Sequence, residues 1–244
     1  MAGRAFVFWL RRQGIFWMLA LPIAGLGAGI THVIESNQEF IDYRQHWLWN
    51  LLFALIYALF LDRWIKEALL DGADDCDEVD ALRRSMISPR FVAFVLLLFG
   101  FAMSLGELPG LRIAGVPWLP EIILWTVVAT PLALMLPALS AGEPLSLGEA
   151  WSAGRPVLIS LFVLIAGVAL LSLLADTAAT QAGARLLPDR PWAAAVVTGA
   201  GRLADCFLLT FLGYGLAALF RARTGWQQPA PDDHTYRGVR ARKA

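Results

Sequence analysis

An all-α, polytopic membrane protein is what this sequence predicts: six transmembrane helices forming three hairpins, each preceded by an interfacial amphipathic helix. Three observations carry that prediction. Of 244 residues, 58% are hydrophobic and only 16% are charged, with a mean hydropathy of +0.59, whereas a soluble domain carries about a quarter charged residues. Six segments approach the roughly 20 apolar residues that a helix needs to cross a hydrocarbon core about 30 Å thick. Lys and Arg gather on one side of those segments.

The first span is expected at 14–34, GIFWMLALPIAGLGAGITHVI. Arg4, Arg11 and Arg12 precede it and no small-residue cleavage site follows, which marks a retained helix and not a removed signal peptide. The second span is placed at 47–66 and the third at 90–108, the latter with a charge-free stretch only from Phe91 to Gly106. The fourth is placed at 120–141, where Pro131 and Pro137 would kink it as Pro22 would kink the first. The fifth is expected at 156–175 and the sixth at 199–221. Residues 1–222 then form the membrane domain, and 223–244 a polar, proline-containing, disordered cytoplasmic tail.

Direction follows from the basic residues in the connections. The N-terminus, the second and fourth loops and the C-terminal tail hold fifteen Lys and Arg, including Arg63, Lys66 and Arg83. The opposite side holds four: Arg44, Arg112, Arg185 and Arg190. Both termini are therefore expected in the cytoplasm, with the chain in the cell's inner membrane. Trp47, Trp118 and Trp192 fall at outer ends, and Trp9, Trp17, Trp64 and Trp151 near inner ends, the placement of an aromatic belt.

Each odd-numbered span follows a short amphipathic stretch with an arginine near the membrane entry: RAFVFWLRRQG, VDALRRSMISPR and SLGEAWSAGRP. Such stretches suit helices lying in the headgroup layer. Ser146 and Glu149 have the spacing of a capping box. Ser88 precedes Pro89 as a cap residue precedes a proline in the first helical position, and Pro156 can open the fifth span likewise.

The strings ALRRS, from Ala81 to Ser85, and PALSAGEPLSLGEAWSAGR, from Pro137 to Arg155, carry a resemblance. The chain resembles a bacterial six-span group that includes the membrane domain joined to some glycerophosphodiester phosphodiesterases and related proteins of unknown function. Pro137, Glu143, Ser146, Ala150 and Trp151 follow that group's order. The resemblance spans about residues 5 to 220 and implies a fold and a role in the membrane. It brings no catalytic residues, because the soluble phosphodiesterase domain has no counterpart here.

Few residues are candidates for function. Arg202 and Asp205, three apart on one helix face inside the sixth span, form an intramembrane polar pair, either a depth-setting ion pair or part of a polar lining with Thr210 and Tyr214. Ala20, Ala24 and Ala28, with Gly25 and Gly29, make a small-residue face for helix packing or for a partner subunit. The acidic stretch DGADDCDEVD at 71–80 lacks the spacing of a calcium loop and reads as a solvated loop. His32 and His46 are badly placed for a bis-histidine haem, and Cys76 and Cys206 have neither disulfide nor metal spacing. No nucleophile turn, zinc-binding His pair or phosphate loop is present in the sequence. Intramembrane catalysis would have to use Asp205, Glu107 or Glu121 as acid or base.

The expectation is a non-catalytic protein of membrane or envelope organisation, or an accessory to transport. The alternative is the membrane subunit of a small-molecule transporter working with a separate ATPase. No cofactor or metal is expected. The partners would be the lipid bilayer and a protein subunit; zero formal net charge gives no case for nucleic acid.

Overall fold

A computed structural model describes residues 2–36, 43–72, 77–106, 130, 132–186 and 192–227. Those residues are helical nearly throughout, with no strand among them. The helices are α1 (Ala2–Arg11), α2 (Gln13–Ser36), α3 (Tyr43–Leu69), α4 (Asp77–Arg84), α5 (Pro89–Gly106), α6 (Met135–Ser140) and α7 (Leu147–Gly154). A 3₁₀ turn at Arg155–Val157 then joins α7 to α8 (Leu158–Leu186), and α9 (Ala193–Thr224) follows.

Four helical runs are long and apolar enough to cross a membrane: Gln13–Ile34, Leu48–Leu69, Leu147–Ala182 and Ala193–Thr224. They make this chain a multi-pass membrane protein by length and composition. The apolar helix at Pro89–Leu98 is shorter. The expected span at 120–141 lies outside the described residues up to position 129; its described end is Thr130, a turn at 133–134 and α6.

The observed helices outrun the expected spans. α8 continues through Leu186 although the apolar run ends near 175. The reason is local: Ala178, Ala179, Ala182 and Ala184 keep helix propensity high after hydropathy falls. α9 starts six residues before the expected boundary at 199 and ends at Thr224, past the expected start of the tail. Gly225 ends it in the left-handed conformation, φ 68°, and Trp226 is buried beyond it, 6.5 Å from Phe220. Residues 228–244 of the expected tail lie outside the described residues.

Helices form at all three amphipathic stretches, as α1, α4 and α7. At α7 the Ser146 hydroxyl accepts a hydrogen bond from the Glu149 amide at 3.3 Å, and the Glu149 carboxylate accepts one from the Ser146 amide at 2.8 Å. Two N–H groups that would otherwise point at nothing are thereby satisfied. Pro89 occupies the first position of α5, and the Phe91 amide donates to the Ser88 carbonyl.

One end of the bundle is tied by charge. The last turns of α3 carry Asp62, Arg63, Lys66 and Glu67 at i,i+4 spacing, giving Lys66–Asp62 at 2.8 Å and Arg63–Glu67 at 2.9 Å. Arg12 reaches Glu67 at 4.0 Å from the α1–α2 corner, and Arg83 reaches it at 3.6 Å from α4. Ser140 donates to Asp62 at 2.8 Å, Lys66 donates to the Ser85 carbonyl at 3.1 Å, and Arg221 donates to the Leu69 carbonyl at 3.4 Å. The starts of α2 and α5 and the ends of α3, α6 and α9 are thus gathered at the same end. At the other end Thr31 of α2 meets Thr198 of α9 at 3.1 Å.

Arg63 and Lys66, counted by side with the second loop and lying within the span expected at 47–66, are held in the bundle. Both lie within α3, and Lys66 is only 3% exposed beside Asp62 (3%) and Glu67 (0%). α1 and α4 fold over the end of α3 and exclude solvent. Trp64, expected near an inner end, is fully enclosed by protein, stacked on Phe60 at 6.0 Å with Phe8 of α1 edge-on at 5.6 Å.

α9 is the hub, packing on α2, α3 and α8. Small residues bring the helices close, as is usual where lipid removes the hydrophobic drive between helices. A side-chain carbon added at Gly213 would lie 3.2 Å from the Trp64 ring, and one at Gly199 would lie 3.4 Å from the Ala28 methyl and from the Ala24 carbonyl oxygen.

Candidate intramembrane site

The Arg202–Asp205 pair is part of a larger constellation. Helical spacing puts both side chains on one face of α9, with Arg202 Nη1 3.6 Å from Asp205 Oδ2. Two other helices complete the set. Tyr57 of α3 donates its hydroxyl to Asp205 Oδ2 at 3.0 Å. Ser172 of α8 donates to Asp205 Oδ1. The carboxylate thus has acceptor sites filled from three directions, which is how a buried acid is made tolerable in a membrane.

The guanidinium is held differently. It lies over the Phe53 ring at 4.3 Å and 5.9 Å from the Tyr57 ring, a cation–π arrangement. Nη1 also donates to the Tyr57 oxygen at 3.4 Å. Its Nε is buried and has no hydrogen-bond partner among the described residues. Gly27 of α2 makes room for this side chain: an added carbon there would fall 2.9 Å from Arg202 Cγ. The Arg202 and Asp205 side chains keep 30% and 23% of their exposure.

That exposure is toward a cavity of about 380 Å³ between α3, α5, α6, α8 and α9. Among the described residues its polar lining is Asn50, Tyr57, Ser172, Arg202 and Asp205. The remaining lining among the described residues is apolar, including Leu61, Leu98, Leu136, Ile165, Leu212 and Leu216. A volume in the range of small-molecule pockets, apolar with a few convergent polar groups, can hold a ligand and fix its orientation.

Two expected lining residues do not face this cavity. Thr210 donates to the Phe207 carbonyl of its own helix at 2.6 Å, and Tyr214 packs on Phe8 at 5.2 Å. Ala20 and Ala24 are buried and face inward, and Ala28 lies in contact range of α9 at Gly199. Gly25 and Gly29 are exposed with open space around them. Cys206 is buried and unpaired, and His32 is exposed on α2. Residues 73–76 of the acidic stretch, Glu107, Glu121 and the His46 side chain lie outside the described set.

Sequence reasoning found Arg202 and Asp205 but missed Tyr57, Ser172, Asn50 and Gly27. A tyrosine and a serine mid-span are weak signals, since both occur in membrane helices without forming sites. No family model, no curated protein and no solved structure matches this chain.

Proposed function

We propose that this chain is a non-catalytic, six-span inner-membrane protein with both termini in the cytoplasm, and that it holds a small molecule within the bilayer as an accessory to transport. The cavity beside Arg202 and Asp205 carries the reading: three helices bring polar groups to one end of an otherwise apolar space. A protein that only organised the membrane would have no need of such a space. The three-hairpin arrangement draws support from the shared end at which α2 and α5 start and α3, α6 and α9 finish. The resemblance to the bacterial six-span group supports the same fold.

The test is mild solubilisation of the full-length protein, followed by native mass spectrometry. A bound species in stoichiometric amount, lost in Asp205→Asn while the protein stays folded, is the expected result. An empty cavity in every preparation overturns the reading. So does a disulfide formed efficiently between Ala54→Cys and Val128→Cys, which would mean that residues 120–129 of the same chain fill the space.

A transporter-subunit reading rests on a different observation. The run Leu147–Ala182 is the least enclosed of the four, and Ile159, Val163, Leu170 and Leu174 are exposed along it. Recovery of a stoichiometric ATPase or second membrane subunit with the protein would select this reading.

A further inference from the structure

The constellation around Asp205 has one more member. Gly201 lies four residues before Asp205 on the same face of α9, and a side-chain carbon added there would fall 3.3 Å from Asp176 Oδ1. The missing side chain lets the Asp176 carboxylate of α8 lie against α9 one turn, about 5.4 Å, beyond Asp205. The two acids act on one another electrostatically. On α8, Asp176 follows Ser172 by four residues and shares its face. Asp176 is exposed, one turn nearer than Ser172 to the end of the bundle away from Lys66, whereas Asp205 borders the cavity.

Few groups can balance these acids. Arg202 is the cation on the Asp205 face. Tyr57 of α3 and Ser172 of α8 bring hydroxyls, and the neighbouring Cys206 of α9 is a buried thiol. α2 meets this part of α9 through Gly27 and Thr31, and its His32 is exposed. Among the described residues, α5 and α6 bring aliphatic side chains to the cavity. Two carboxylates are thus set beside one guanidinium. Within a span an unmatched charge is costly, and one proton on the pair removes it.

We propose that Asp176 and Asp205 form a proton-binding site that holds one proton at neutral pH, Asp176 taking it from water and Asp205 keeping it beside the cavity. The geometry names the atom. Asp205 Oδ2 faces both Tyr57 and Arg202, whereas Oδ1 has Ser172. A hydroxyl can donate or accept, so a proton arriving on Oδ1 turns Ser172 from donor to acceptor and the hydrogen bond is kept. The proton leaves an oxygen of Asp176 and ends on Asp205 Oδ1; no other covalent bond is made or broken. The site stands whether or not the cavity holds a molecule.

The experiment is infrared difference spectroscopy of the full chain in lipid nanodiscs, titrated with pH. It reads the C=O stretch that a protonated carboxyl group shows and a carboxylate lacks. A band that survives above about pH 6, where an ordinary carboxyl group is ionised, is expected in the unaltered chain and should vanish in Asp205→Asn. Asp176→Asn removes a like charge, so Asp205 should hold its proton about tenfold less tightly and the midpoint should fall by about one pH unit. Asp176 is exposed, so this variant keeps the test open if Asp205→Asn fails to fold. Ser172→Ala should keep the band but slow its shift in heavy water. No band above about pH 6 in the unaltered chain, a band untouched by Asp205→Asn, or a midpoint unmoved by Asp176→Asn overturns the site. An unchanged shift in Ser172→Ala overturns the route through Ser172. The band in a protein whose cavity is empty upholds the proton site while the small-molecule reading falls; a bound molecule without the band does the reverse.

Discussion

Charges enter this helical bundle at two places, and they are handled in opposite ways. At one end Asp62, Lys66 and Glu67 are almost completely enclosed, with partners drawn from the α1–α2 corner, α3, α4, the α4–α5 linker and α6. Toward the other end Arg202 and Asp205 are part-exposed and border a cavity, with one guanidinium nitrogen unmatched. Both sets are expensive to bury, so cost does not distinguish them. What distinguishes them is enclosure: the first set is shut in by its own chain, and the second borders a cavity.

Substitutions can break or sharpen that contrast. The largest effect is expected from Lys66→Met, which leaves Asp62 enclosed without its cation. A loss of roughly 3–5 kcal/mol is expected, read as a lower unfolding midpoint in detergent, with α4 more accessible to protease. A near-neutral result would mean that the clamp holds nothing. Next comes Gly213→Ala, whose methyl would press on the Trp64 ring at 3.2 Å. Stacking on Phe60 keeps that ring from yielding, so about 1–3 kcal/mol is expected, measured by the same unfolding curves. Asp205→Asn should cost only about 1–2 kcal/mol, because Tyr57 and Ser172 can still bond to the amide and Arg202 rests on Phe53. The bound molecule should nevertheless be lost. Equal destabilisation by Asp205→Asn and Lys66→Met would erase the distinction between the two regions. The smallest effect, about 1 kcal/mol, is expected for Ser146→Ala, a polar group that belongs to neither region. Faster hydrogen exchange of the first α7 amides would report it.

The parts that were legible in the sequence are local. The capping box at Ser146 and Glu149 needs only three residues of spacing. The helical runs at α2, α3 and α9 follow from long apolar stretches. Arg202 and Asp205 are visible because they interrupt one. The parts that were not legible depend on partners far along the chain. Tyr57 is 148 positions from Asp205, and Ser140 is 78 from Asp62. The i,i+4 pairing of Asp62 with Lys66 can be read directly, yet their enclosure cannot, because it is made by α1, α4 and α6. Counting basic residues by side groups Lys66 with Arg12 and Arg83, which meet at one end of the bundle, and says nothing of its enclosure. The end of α8 escaped for another reason: hydropathy marks where lipid contact stops, not where the helix does.

The central position of α9 bears on how this protein is made. Among the described helices it is the last in chain order, and it supplies packing surfaces for α2, α3 and α8. Phe8 of α1 finds one of its ring partners in Tyr214 of that helix. Until α9 arrives, the N-terminal helix lacks part of its seat and the polar constellation lacks both of its ions. A chain cut before α9 would therefore leave those surfaces of α1, α2, α3 and α8 unpaired.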